Sequence, residues 1–216
     1  ARDGLWIAGA VDAIDVDAWR AALAAGSAEK RAVPDLTGIN LQIGNLDAAG
    51  RRFHDLKVNA TRQAAAWQAD LSGREVDGKV SWTTSGDGQL VARLKHLSLP
   101  APATGVRAGT SGSSQRLPSI DLIAERFEFE GRKFGRLTAL AVPQPGGWHL
   151  QRLEIVNPES TLNVDGSWAL SQFPRTDINV RLEVADIGKF FARMGWPEGV
   201  KGGSAILEGP VAWTGS

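Results

Sequence analysis

The side chains in this chain that could do chemistry are scattered, and their spacing supports none of the usual constellations. His54, His96 and His149 are the only three histidines. None has a second His or Cys at metal-ligand spacing, and with zero cysteine there is no thiolate site and no disulfide. His54 and His96 lie among Lys, Arg and Asp, and His149 follows Trp148, so all three read as surface or hydrogen-bonded histidines. A serine nucleophile needs a sharp strand-turn-helix elbow; Ser113 and Ser114 lie instead in a stretch of small polar residues. Paired carboxylates could hydrolyse a glycoside if two converged across a cleft. Here Asp121, Glu128 and Glu130 fall at outward strand positions, and Asp15 and Asp186 at helix caps. Gly202-Gly203 lacks the glycine pattern of a phosphate loop. The expectation is a protein that is not an enzyme and uses no cofactor or metal.

The eight tryptophans are the remaining chemical signal. Gly78-x-Val80-x-Trp82, Gly166-x-Trp168 and Gly209-x-Val211-x-Trp213 each place a Trp at the end of an alternating run. Such rings could anchor strand ends, line an apolar surface or stack on sugars.

The elements that must position these residues are strands. Apolar residues recur two apart at Val76, Val80 and Trp82, at Leu162, Val164 and Trp168, and at Ile178, Val180, Leu182 and Val184. Period-two alternation puts one set of side chains on one sheet face and the polar set on the other. Turn signals separate the runs, among them Asp77-Gly78, Pro145-Gly146-Gly147 and Asn157-Pro158-Glu159-Ser160. The pattern predicts an antiparallel meander.

The meander repeats at an offset of 81 residues. Ile39, Leu41, Gly50, Arg51, Phe53, Leu56, Ala60 and Trp67 recur without a gap as Ile120, Leu122, Gly131, Arg132, Phe134, Leu137, Ala141 and Trp148. A fixed offset means one supersecondary unit stacked on another. Parity breaks at one place in both copies, after Ile43 and after Ala124, which predicts either a bulge that bends each copy alike or the end of one strand and the start of another. Two segments depart from the alternation. The stretch from Asp15 through Trp19 to Leu23, and Asp186 through Phe190 and Phe191 to Gly195, each pair a capping Asp with a closing Gly, and predict two short helices. Residues 101–117 are small and polar, and predict a flexible loop between copies spanning about 36–99 and 117–185. The expected fold is mainly β: a curved antiparallel sheet built of repeats, with two short helices, in a single unit over residues 1–216.

Composition closes off further classes. Lys plus Arg equals Asp plus Glu at 24 each, with no basic run, so nucleic acid is not an expected partner. Hydrophobic residues at 43% and charged residues at 22% belong to a folded globular chain. No run reaches the ~18–20 apolar residues of a membrane-spanning helix. The polar start at Ala1-Arg2-Asp3-Gly4 and the stop just after an apparent strand lead us to expect an internal section of a longer polypeptide.

In order and spacing, these features resemble the AsmA-like envelope proteins of Gram-negative bacteria, in particular the YhdP branch. The resemblance rests on residues 11–19, on Gly50-Arg51-Arg52-Phe53-His54-Asp55-Leu56 and its echo Gly131-Arg132-Lys133-Phe134-Gly135-Arg136-Leu137, and on Leu117-Pro118-Ser119-Ile120-Asp121-Leu122. It rests also on Gly147-Trp148-His149-Leu150, Gly166-Ser167-Trp168 and Val184-Ala185-Asp186-Ile187-Gly188. It implies a section of a long β-sheet groove whose apolar interior carries phospholipid acyl chains across the periplasm, in a protein anchored in the inner membrane. The section itself would be monomeric. Strand parity then nominates Leu41, Val58, Val80, Leu94, Leu122, Val164, Val180 and Leu182 as groove-face residues. The alternatives are a carbohydrate- or protein-binding β module that uses its Trp residues as a platform, and a structural envelope spacer.

Overall fold

The computed structural model describes residues 4–16, 18, 36–83, 85–102, 118–169, 175–196 and 199–214. Twelve strands form one sheet in chain order: β1 (Leu5–Asp15), β2 (Leu36–Ala48), β3 (Arg51–Gln63), β4 (Ala66–Ser72), β5 (Val76–Thr83), β6 (Gln89–Leu99), β7 (Ser119–Phe129), β8 (Arg132–Gln144), β9 (Gly147–Asn157), β10 (Ser160–Ala169), β11 (Arg175–Val184) and β12 (Ala205–Thr214). β1 and β12 are the two edges and do not pair with each other, so the sheet is open rather than a closed barrel. One short helix, α1 (Ile187–Arg193), lies between β11 and β12.

Strands β2–β6 and β7–β11 correspond in order, and the equivalence reaches the backbone. Ala49 and Gly50, at φ 52 and 70, make the β2–β3 turn; Glu130 and Gly131, at φ 51 and 77, make the β7–β8 turn. Two consecutive left-handed residues give the hairpin turn whose twist matches that of the flanking strands.

The break in parity is a bulge in the second copy only. In β7 the register against β8 slips on both sides of Phe127. In β2, Gly44 and its counterpart Asp55 drop out between Ile43↔Leu56 and Asn45↔His54, with Asp55 at φ 53. Because both strands lose a residue at that level, the pairing resumes in register.

Pairing is not antiparallel throughout, contrary to the simple meander. β1 pairs with β2, and β6 with β7, in parallel; the remaining neighbours are antiparallel. Parallel neighbours require a crossover of a dozen or more residues, and residues 16–35 and 100–118 are long enough to bring the chain back to the starting end. Nearly all of the expected flexible loop at 101–117 lies outside the described residues.

Of the two expected helices, α1 is described in full. The Asp186 carboxylate accepts from the Lys189 amide at 3.0 Å, and Gly195 at φ 83 follows the end. That bond holds the Asp186 carboxyl below its ordinary 3.8, with further help from the Lys189 side chain. For the first helix only the entry is described: Val16 and Ala18 are helical, and the Asp15 carboxylate accepts from the Ala18 amide at 2.7 Å. Trp19, Leu23 and the rest of that segment lie outside the described residues.

Candidate functional site: the apolar face

Directly paired residues project to the same side of a sheet, so the registers assign every face. One row runs Gly9, Leu41, Val58, Leu71, Gly78, Leu94, Ala124, Leu137, Ile155, Leu162, Leu182, Leu207 from edge to edge. The next runs Ile7, Ile39, Ala60, Ala69, Val80, Ala92, Leu122, Ala139, Leu153, Val164, Val180, Gly209. Neither row holds a polar side chain. All eight residues nominated from parity fall in these adjacent rows: Leu41, Val58, Leu94 and Leu182 in the first, and Val80, Leu122, Val164 and Val180 in the second.

The opposite face has the reverse character. The row lying between those two reads Ala8, Asn40, Asn59, Asp70, Lys79, Arg93, Ile123, Thr138, Glu154, Asn163, Arg181, Glu208. Its charges pair across and along strands, as in Arg93–Asp121 at 2.7 Å and Arg181–Glu183 at 2.7 Å. The hydrogen bond to Asp121 raises the Arg93 pKa, and the bond to Glu183 does the same for Arg181. Asp177 is held low by Arg175, and Asp47 by Arg52, also through side-chain hydrogen bonds. By strand parity these groups too face away from the apolar rows.

The apolar face is not uniform along its length. Over β2–β8 it fills itself: Ile43, Leu56, Val76, Ala92, Leu94, Ala124, Phe127 and Leu137 are buried and form one cluster. Small residues at its centre let larger neighbours close over them, and Ala124 is 0% exposed. Over β9–β11 the same rows are half-buried, and on edge strand β12 Leu207 and Val211 stand 65% and 46% exposed. Among the eight nominated residues only Leu94 is buried; the other seven are half-buried. The extensive contacts between the described elements are those of neighbouring strands.

Aromatic residues mark the two margins of the face. Trp67 pairs with Trp82 along one, followed by Trp148 against Trp168 with ring centroids 5.7 Å apart, and Trp213 opposite Thr176. The other margin carries Phe127, Phe129 and Phe134 in mutual contact, with Phe129 opposite Arg132. Trp6 departs from this order: it projects from the opposite face and lies over Gly38.

The histidines show no common site. His54 donates its amide to Glu75 at 2.7 Å and pairs with the same carboxylate through Nδ1 at 2.8 Å. β4 stops at Ser72, and the buried Glu75 carboxylate takes up the amide that an adjoining strand would otherwise have bonded. His96 lies opposite Asp77, and His149 sits between Val142 and Ser167. Among the described residues no group of three or more His, Asp or Glu could hold a metal ion.

The family comparison bears on this repeat-built sheet and its apolar surface. The family whose model matches is the YhdP protein, over residues 1–216. The chain belongs to the YhdP family. No curated protein and no solved structure matches it. YhdP is an AsmA-like envelope family, as the resemblance implied, and no helix among the described residues of this YhdP chain is long and apolar enough to cross a membrane.

Parity reasoning did not find the alanines at the core of the buried cluster, the Glu75 plug, or Arg132 and Lys133 at the Phe margin. The last two had a signal, since Gly-Arg-(Arg/Lys)-Phe occurs at both 50–53 and 131–134.

Proposed function

We propose that this chain is a non-enzymatic section of a periplasmic groove that conducts phospholipid between the inner and outer membranes of a Gram-negative envelope. The observation carrying the reading is the pair of apolar rows that cross twelve strands without a polar side chain. An acyl chain asks only for a continuous dry surface, and gains about 0.8 kcal/mol per methylene removed from water. Because neighbouring positions in each row are chemically equivalent, a tail can pass from strand to strand without a deep trap. Trp and Phe along the margins suit the boundary between tails and a wetter headgroup layer.

The more exposed rows over β9–β12 supply the surface for a tail, while the self-filled cluster over β2–β8 makes the section rigid. In this reading the section is monomeric and belongs to a longer protein held in the inner membrane, and its partners are phospholipid acyl chains.

Native mass spectrometry of the purified chain tests the proposal. Retained phospholipid, displaced by detergent, is the expected result. A chain that emerges free of lipid from lipid-rich extracts is a structural spacer, and one that retains glycan is a carbohydrate-binding module.

A further inference from the structure

At the Phe margin a cleft of about 580 Å³ opens between α1 and the β7–β8 turn, lined by Gly131, Arg132, Lys133, Lys189, Arg193 and Gly195 among others. Its lining holds four cationic side chains and no carboxylate. Two of the four are spoken for. Glu159 takes Arg193, which also reaches the Lys133 carbonyl at 3.3 Å, and Asp186 takes Lys189 at 3.1 Å. Arg132 and Lys133 are exposed and make no ion pair among the described residues.

The repeat makes this difference specific. Arg51 and Arg52 occupy the same positions in the first copy, yet there Arg51 stacks 5.2 Å over the Phe129 ring and bonds the Pro100 carbonyl, while Arg52 is bound to Asp47 at 2.7 Å. The second copy keeps both charges and leaves them unused. Arg132 is also paired with Phe129, so its position belongs to the margin of the apolar face itself.

We propose that this cleft binds a phosphate group, with the headgroup phosphate of a phospholipid whose tails lie on the apolar face as its source. The cleft thus deepens the lipid-groove reading and depends on it for the source of the phosphate. The Arg132 guanidinium, on the apolar side of β8, suits phosphate oxygens; Lys133 lines the cleft from the far face, where it lies opposite Glu128, and Arg193 is held in place by Glu159. The cleft would set which way a lipid lies across the sheet, with its head at the Phe margin.

The test compares binding of a fluorescent phosphatidylglycerol with a diacylglycerol bearing the same tails. It uses the wild-type chain, the double variant Arg132→Gln/Lys133→Gln, and a charge-matched control away from the cleft, Lys57→Gln/Lys79→Gln. Wild type and control should prefer the phospholipid by about tenfold, as two charge-assisted contacts allow, and the cleft variant should bind both lipids alike. A wild type without preference, or a cleft variant that keeps it, overturns the proposal while leaving the groove reading intact. If neither lipid binds, the groove reading fails on its own, and titration with inorganic phosphate then decides the cleft. Saturable shifts of the Gly131, Lys189 and Gly195 amides that the double variant abolishes establish a site for free phosphate; their absence overturns it.

Discussion

Val164→Asp separates a conducting surface from a filler. Val164 is half-buried and paired with Leu153 and Val180, so all its neighbours in the row are apolar. A carboxylate there stays hydrated, and a passing tail must leave the surface for about one strand spacing. Strands lie ~4.8 Å apart, which is roughly four methylenes of an extended tail, or about 3 kcal/mol at ~0.8 each. Added to the barrier for crossing, that slows passage by about 100-fold. The fold should tolerate the change, because the side chain can keep water around its charge. Leu94→Asp is the contrast. Leu94 is 5% exposed inside the self-filled cluster, and an unpaired charge there costs several kcal/mol of stability. Glu128→Arg, on the far face, should leave transfer unchanged and cost only a small amount of stability from the like charge of Lys133 opposite it. The assay is phospholipid transfer by the full-length protein, with photocrosslinking of lipid to the rows and thermal melts of every variant. A Val164→Asp protein that melts like wild type and still crosslinks and transfers lipid normally would refute the conduit.

Three further outcomes follow from particular contacts. Glu75→Ala leaves the half-buried His54 amide without its acceptor and should cost about 1 kcal/mol in chemical denaturation, with Glu75→Gln recovering part of the loss because it retains an acceptor oxygen. Gly166 sits at φ 146, where an added Cβ would lie 2.2 Å from the Asp177 carbonyl, so Gly166→Ala should destabilise by more than about 1 kcal/mol in a thermal melt. The Asp186 carboxyl should titrate below 3.8 by NMR, because the Lys189 amide and side chain favour its charged form. Its contribution to the α1 cap is therefore full above the unfolded-chain pKa and disappears as pH falls through the lower folded value, with the Lys189 amide resonance as the reporter.

Much of the apolar face was legible because strand alternation states it directly. Val180 and Leu182, or Leu41 and Val58, can be assigned to a side without knowing which strand lies next to which. The breaks in parity after Ile43 and Ala124 were legible for the same reason, but only the second is a bulge; the first keeps its register. Strand direction was not. Alternation reads identically in parallel and antiparallel pairs, and only the length of the segments at 16–35 and 100–118 distinguished a crossover from a turn. The degree of filling was hidden as well, because Ala92 and Ala124 look unremarkable in sequence and are buried only by the size of the residues beside them. The free charges of Arg132 and Lys133 depend on partners that the first copy has and the second lacks, and that contrast exists only in three dimensions.

The parallel junction between β6 and β7 carries an implication for how such a protein could grow. Five is an odd number, so a five-strand unit ends pointing the same way as it began. Joined by a simple hairpin, the next unit would be inverted end for end, and its Trp residues would land beside the Phe residues of its predecessor. The crossover prevents that inversion, and successive copies keep the same handed layout. A gene duplicating this unit in tandem would therefore lengthen the sheet by about 24 Å per copy, at ~4.8 Å per strand, with both borders unchanged, so that copy number would act as a ruler for the gap to be spanned.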